Sequence, residues 1–146
     1  MRRLLAVSAL ALLFAFVAMP QVRAANEVTQ DITQLVKIDR TVGTGSVAND
    51  GDEVHVNYTG WLYDAQAKDH HGREFDSSYD DGGPISFTLG AGQVIEGWDL
   101  GIRGMRVGGK RTLVIPARLA YGSQGASPAI PPHATLIFDV ELVGVD

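Results

Sequence analysis

The chain has 146 residues, of which 45% are apolar and 20% charged, with no cysteine and a formal net charge of −5. This length and composition suit a single domain with a packed core and exclude a disordered chain. Without cysteine there is no disulfide framework, thiolate metal site or cysteine nucleophile. The acidic balance argues against nucleic-acid binding, which requires a basic face.

The amino-terminal segment has the pattern of a secretory signal peptide. A positive start, Met1–Arg3, is followed by the apolar run Leu4–Ala18 and by Val22–Ala24, which has small residues at its first and last positions. We predict cleavage after Ala24, with cleavage after Ala25 as the alternative. A retained membrane anchor is the other interpretation, although a spanning helix needs about 20 apolar residues. The pattern therefore predicts a periplasmic or secreted protein.

Cleavage would leave 122 residues with 9 basic and 17 acidic side chains, a formal charge of −8. Such a charge disfavours contact with anionic membranes after the signal has been removed. We divide the chain into the signal peptide (1–24), an arm with a first strand (25–48) and one domain (49–146). The arm is too short to form a separate dimerisation domain, so we expect a monomer.

Alternating apolar residues predict the strands. Val36, Ile38 and Val42 predict a half-buried first strand, and Val54, Val56 and Tyr58 predict a second. The remaining segments are predicted in chain order as an exposed or bulged loop at Tyr63–Arg73, strands at Glu74–Ser77, Ile85–Leu89 and Lys110–Ile115, a short helical turn at Leu119–Tyr121, a loop at Gly122–Pro132 and a strand at Thr135–Val145.

One segment, Val94–Ile102, has helical periodicity. Gly97 and Gly101 each cost about 1 kcal/mol relative to alanine in a helix, so packing must hold this helix, with Trp98 as its anchor. The pattern predicts an antiparallel α+β domain in which the helix covers the apolar face of the sheet.

Motifs for covalent, phosphate or metal chemistry are absent from the sequence. It has no phosphate-binding glycine loop and no Gly-x-Ser-x-Gly nucleophile motif. His70 and His71, next to Asp69, could chelate a metal, but adjacent residues of a strand point to opposite faces. We therefore predict no metal and no cofactor.

Asp76 either caps a backbone donor or presents a charge to an apolar pocket.

The aromatic residues indicate a possible ligand site more clearly than the acidic residues do. They come from separate predicted elements, and they form either an aromatic core or a concave ligand site in which tyrosine hydroxyls find partners. The residues concerned are Tyr58, Phe75, Phe87, Trp98, Tyr121 and Phe138.

Five motifs occur in an order that resembles the FKBP-type peptidyl-prolyl cis-trans isomerases. The resemblance extends from about Gly51 to Val143, which is most of the predicted mature chain. The motifs are Val56-Asn57-Tyr58-Thr59-Gly60, Phe75-Asp76-Ser77-Ser78, Val94-Ile95-Glu96-Gly97-Trp98, Ala120-Tyr121-Gly122 and the run from Ile130 to Leu142.

The resemblance implies an antiparallel sheet of about five strands wrapped around one short helix, with a pocket between them. It implies that the pocket rotates X-Pro amide bonds, with Asp76, Tyr121 and Trp98 as catalytic residues and Trp98 as the floor. The backbone amide of Ile95 would bind a ligand carbonyl. The implied substrate-binding residues are Tyr58, Phe75, Phe87, Val94, Ile95, Ile130 and Phe138.

The sequence departs from the family pattern at the rim of the implied pocket. Ile85 replaces an aromatic residue found in many members, and Ala126 and Ala129 replace a histidine and an isoleucine. The Tyr63–Arg73 segment is an insertion relative to the smallest members.

The resemblance implies proline-containing exported polypeptides as partners, and macrolides such as tacrolimus or rapamycin as ligands. The alternative function is a non-catalytic module or chaperone that binds proline segments.

Overall fold

The computed structural model describes residues 32–146, which form one antiparallel sheet and one α-helix. The predicted signal peptide and the start of the arm lie outside the described residues. None of the helices in the described part is long and apolar enough to cross a membrane. The elements are β1 (Val36–Thr41), β2 (Glu53–Tyr63), β3 (His71–Ser77), β4 (Ile85–Thr88), α1 (Glu96–Ile102), β5 (Lys110–Ile115) and β6 (Leu136–Val145).

The sheet has the order β1-β5-β6-β2-β3, and β4 also pairs with β2. The long strand β2 pairs with β6 along one edge. Its other edge is shared, because β4 pairs with residues 53–56 and β3 with residues 59–63. The predicted α+β fold is confirmed, with six strands in the described part where about five were expected.

Alternation in β2 and β6 sets the inner face of the sheet. Val54, Val56 and Tyr58 of β2 are buried, as the sequence predicted. On β6 the predicted inward residues Leu136, Phe138, Val140 and Leu142 are also buried. Helix α1 packs against this face through Trp98 and Ile102, which belong to the same hydrophobic cluster. The core therefore lies between α1 and the two longest strands.

Strand β1 forms where it was predicted, but it is not half-buried. Val36 and Ile38 pair with Val114 and Thr112 of β5, and each is 38% exposed. Cross-strand partners share a face. Leu113, the neighbour of these two β5 residues, contacts α1, so the apolar stripe of β1 lies on the face opposite the helix. Val42, which is 73% exposed, lies beyond the end of the strand.

The segment predicted as a loop, Tyr63–Arg73, is largely a hairpin. Strand β2 continues to Tyr63 and β3 begins at His71, so a turn with a 3-10 helix at Lys68–His70 is left between them. The bulge that was the alternative prediction is also present in this segment, since the β2–β3 register shifts between Trp61 and Tyr63. The short helical turn predicted at Leu119–Tyr121 occurs earlier, at Ala117–Leu119.

The glycines of α1 allow the helix to lie directly on β5. A Cβ atom at Gly97 would be 2.4 Å from Cγ2 of Ile115, and one at Gly101 would be 2.7 Å from Cδ1 of Leu113. Any side chain at these positions would push the helix off the sheet. Close packing therefore outweighs the low helix propensity of glycine.

Asp99 fixes the segment that precedes α1. Its buried carboxylate accepts hydrogen bonds from the N–H groups of Gly90 and Gly92, at 2.8 and 3.1 Å. These bonds hold the turn between β4 and the helix, and with it Val94 and Ile95. Sequence analysis did not identify this role, because an aspartate in a helix is usually exposed.

Replacing Gly97 with alanine should destabilise the protein by about 1–3 kcal/mol, because the added methyl group overpacks against Ile115. In an exposed helix the same change would stabilise the protein by about 1 kcal/mol. The sign of the change in the free energy of unfolding therefore distinguishes close packing from helix propensity. Chemical unfolding measures the free energy. In an Ile115→Ala background, which provides space, the cost should fall. An equal cost in both backgrounds would contradict the packing argument.

Candidate functional site

An aromatic cluster lies where α1 faces β2 and β6. Trp98 is 4% exposed, and its ring meets the rings of Tyr58 and Phe138 edge to face, at centroid distances of 4.7 and 5.3 Å. Phe75 meets Phe138 at 5.5 Å, also edge to face, and Phe87 lies 5.8 Å from Trp98. Such edge contacts are favoured by the ring quadrupoles and fix the orientation of each ring. Five of the predicted site residues thus share one cluster.

A β-bulge brings Phe75 and Asp76 to the same site. Gly60 of β2 pairs with Asp76, but the next residue, Trp61, pairs with Glu74, so Phe75 is the extra residue in β3. Adjacent residues of a regular strand point to opposite faces, and a bulge re-aims one of them. The ring of Phe75 therefore contacts Phe138 while the carboxylate of Asp76 reaches Tyr58.

Tyr58 and Asp76 form a short hydrogen bond. The Tyr58 hydroxyl donates to Oδ2 of Asp76 at 2.5 Å. Burial raises the pKa of Tyr58 well above its usual value, and the hydrogen bond to Asp76 and its negative charge raise it further. Burial also raises the pKa of Tyr121, with the Asp76 charge as the second cause. Both tyrosines are therefore protonated donors at neutral pH.

Ser78 completes the backbone bonding of Tyr58. The partner of β2 changes between Val56, which pairs with β4, and Thr59, which pairs with β3, so Tyr58 has no strand partner on that edge. Its N–H donates to Oγ of Ser78 at 2.9 Å, and that hydroxyl lies within 3.3 Å of the Tyr58 carbonyl. Ser78 is fully buried and holds Tyr58 in place. Sequence analysis did not assign it this role.

Gly60 makes room for the wall of the site. A Cβ atom there would be 2.6 Å from Cε1 of Phe138 and 2.8 Å from Cζ of Phe75. The edge-to-face contact of these rings thus depends on a residue without a side chain. Gly60 was part of a recognised motif, but its steric role is visible only in the structure.

Three hydrogen-bond donors around the cluster have no partner among residues 32–146. The indole Nε1 of Trp98 is buried and unpaired. The N–H of Ile95 and the hydroxyl of Tyr121, which is 41% exposed, also make no hydrogen bond within this part of the chain. Buried polar groups in closed cores are usually paired, so the unpaired indole N–H of Trp98 favours a ligand site over a closed aromatic core. The other two donors are accessible and can bind a ligand.

The remaining predicted residues belong to the hydrophobic core that contains the aromatic cluster. Ile130 is buried in this core, and Val94 and Ile95 pack against it from the segment before α1. Ile85, Ala126 and Ala129, which the sequence assigned to the rim, are also partly buried against the core. The predicted apolar residues therefore share one hydrophobic core.

His70 and His71, the histidines that could chelate a metal, stack on different aromatic rings. The ring of His71 stacks on Trp61 at 3.8 Å, whereas that of His70 stacks on Tyr63 at 5.1 Å. Within residues 32–146, Asp69 and this pair do not bring three ligand atoms together. A cavity of about 530 Å³, lined in part by Trp61 and His71, contains none of the predicted site residues.

Comparisons with known proteins agree on one family. A family model described as FKBP-type peptidyl-prolyl cis-trans isomerase matches residues 45–143. The chain is 51% identical over 111 residues to a protein of Neisseria meningitidis named FK506-binding protein, covering 76% of this chain and 95% of that one. It is 56% identical over 95 residues to peptidyl-prolyl cis-trans isomerase FPR2 of Saccharomyces cerevisiae, covering 65% and 66% of the two chains.

A solved structure has the same fold. FkpA from Escherichia coli superposes with a TM-score of 0.67 at 47% sequence identity, covering 78% of this chain. The match covers 49% of the FkpA chain, so this chain corresponds to about half of that protein.

Replacing Asp76 with alanine should lower the pKa of Tyr58, because a hydrogen bond and a negative charge that favour the protonated hydroxyl are removed. The pKa should stay above the ordinary value of about 10, since burial, the largest cause, remains. Carbon-13 NMR of the tyrosine rings during a pH titration measures this. Tyr79 is the internal control, because burial and Glu141 raise its pKa and Asp76 does not. An unmoved Tyr58 would contradict the assigned contact.

Proposed function

The chain belongs to the family of FKBP-type peptidyl-prolyl cis-trans isomerases, and on this premise we propose that the aromatic cluster around Trp98 is its catalytic pocket. The protein is an isomerase that rotates X-Pro amide bonds. Trp98 would form the floor beneath the proline ring, with Tyr58, Phe75 and Phe138 as the walls. Phe87, Val94, Ile95 and Ile130 would complete the apolar surround.

The main support for this pocket is the combination of an apolar floor with unpaired hydrogen-bond donors at its border. Proline is an apolar ring flanked by two backbone carbonyls, so a matching site needs an apolar surface and donors. The N–H of Ile95 and the hydroxyl of Tyr121 lack partners within residues 32–146 and would hold those carbonyls. Asp76 would orient the Tyr58 hydroxyl, to which it is hydrogen-bonded.

Rotation of an X-Pro bond requires no proton transfer and no nucleophile. Its barrier of about 18–20 kcal/mol reflects the loss of amide resonance in the twisted form. A site accelerates the reaction by binding the twisted amide more tightly than either planar form. The planar amide is the more polar form, so an apolar pocket disfavours it relative to the twisted one. Each tenfold in rate requires about 1.4 kcal/mol of such preference.

The natural substrates would be proline-containing segments of exported polypeptides. This proposal follows from the signal-peptide pattern of residues 1–24 and from the family's activity on X-Pro bonds. The arm contributes Val36–Thr41 to this chain's own sheet as β1, which supports the proposed monomer. The relatives named FK506-binding protein support tacrolimus as a competing ligand.

The purified protein should accelerate cis-to-trans isomerisation of a short Leu-Pro or Phe-Pro peptide, and tacrolimus should abolish the acceleration. The protease-coupled or NMR exchange rate of the peptide measures this. An unchanged rate from a protein shown to be folded would favour the non-catalytic module that binds proline segments.

Trp98→Leu should lower kcat/KM about tenfold or more, because it removes the aromatic floor of the pocket. A tenfold loss corresponds to about 1.4 kcal/mol of transition-state stabilisation. Tyr121→Phe, a change at an exposed rim residue, should lower it moderately without affecting stability. Thermal unfolding checks both variants. If folded Trp98→Leu retained full activity, the assigned pocket would be wrong.

Protein recovered from the periplasm of an expressing bacterium should begin at Ala25, because cleavage is predicted after Ala24. Intact-mass measurement and amino-terminal sequencing locate the cut, and sedimentation gives the oligomeric mass. An uncut chain in the membrane fraction would support the retained anchor instead.

A further inference from the structure

We propose that Arg73 is a positioning residue that fixes the outer rim of the pocket and thereby sets its affinity for polypeptide substrates. The inference rests on the proposed function, since it assigns a role at the mouth of that same site. Arg73 lies in β3, two residues before Phe75. Its Nη2 atom donates a 2.6 Å hydrogen bond to the carbonyl of Ala129. One side chain thus connects the pocket wall to the loop after Tyr121.

The loop has a tight turn at its tip. Ala126 and Ile130 exchange backbone hydrogen bonds, with N···O distances of 2.8 Å from the Ala126 N–H and 2.9 Å from the Ile130 N–H. The base of the loop is also held, because the Gly125 N–H donates to the Tyr121 carbonyl and the His133 N–H to the Gly122 carbonyl. Ile130, which is 5% exposed, anchors the returning arm in the core.

The residues inside this turn depend on Arg73. Within residues 32–146, the bond from Arg73 is the hydrogen bond that joins residues 127–129 to the rest of the chain. The guanidinium also forms no ion pair with a carboxylate of the described part. Within residues 32–146, the Ala129 carbonyl is therefore the hydrogen-bond partner of this exposed guanidinium.

The backbone position of the turn matters because its side chains are small. Ala126 and Ala129 contribute one methyl group each and lie partly buried against the core. They cannot narrow the mouth by side-chain bulk, so the location of the backbone sets its width. The exposed Arg73 side chain bonds to the loop carbonyl of Ala129 and not to a ring of the aromatic cluster, so its loss should affect substrate binding more than the rotation step.

Arg73→Met, which keeps length and removes the donors, should raise KM about 2- to 10-fold, the range expected for loss of one hydrogen bond, with kcat nearly unchanged. Arg73→Lys, which retains a donor, should give an intermediate KM. Lys68→Met is the matched control, because it removes one positive charge from the exposed turn of the same hairpin. The kinetics of a Leu-Pro peptide measure all three. Equal KM values for Arg73→Met and Lys68→Met, or a loss confined to kcat, would overturn the proposal.

Hydrogen exchange gives a readout that does not need activity. In Arg73→Met the amides of Ala126 and Ile130 should exchange several-fold faster, whereas those of the central strand β6 should be unchanged. Unaltered exchange at both loop amides would overturn the positioning role even if KM changed. If the wild-type protein lacked activity, the proposed function would fail, and exchange alone would still decide the role of Arg73.

Discussion

The close approach of α1 to β5 is the constraint on which the rest of the structure depends. A helix of seven residues has too few hydrogen bonds to be stable by itself, and two glycines lower its propensity further. It forms because Gly97 and Gly101 let it lie against Ile115 and Leu113. That contact places Trp98 under β2 and β6. The residues that weaken the isolated helix are therefore those that allow it to hold Trp98, the proposed floor of the pocket, against the sheet.

A fixed floor is what the chemistry of amide rotation requires. The reaction breaks no covalent bond, so the protein contributes shape, an apolar surface and a few donors. Tyr58 and Phe138 meet Trp98 edge to face, and their ring planes are fixed by these contacts. Tyr58 is held further by the Asp76 carboxylate and by the Ser78 hydroxyl. In the proposed site, Asp76 would therefore act by orienting the Tyr58 hydroxyl, to which it is hydrogen-bonded.

Sequence patterns predicted the parts of the fold in which every residue obeys one periodicity. The alternation of β2 and β6 identified their buried faces, and helical spacing identified Trp98. The pattern of β1 gave a strand but not its environment, because alternation cannot tell which face of a sheet a helix will cover. The bulge at Phe75 could not be predicted, since regular alternation would separate it from Asp76. The motif resemblance grouped the two residues without supplying the geometry.

The proposed pocket lies where the sheet is irregular. At Tyr58 the partner of β2 changes from β4 to β3, and at Phe75 the register of β3 shifts by one residue. A regular strand would point Phe75 and Asp76 to opposite faces, whereas the bulge directs both toward the space that Tyr58 faces. Each break needs local support, which the hydroxyl of Ser78 and the missing side chain of Gly60 provide. Departures from local regularity thus occur together at the site, as expected where function competes with ideal folding.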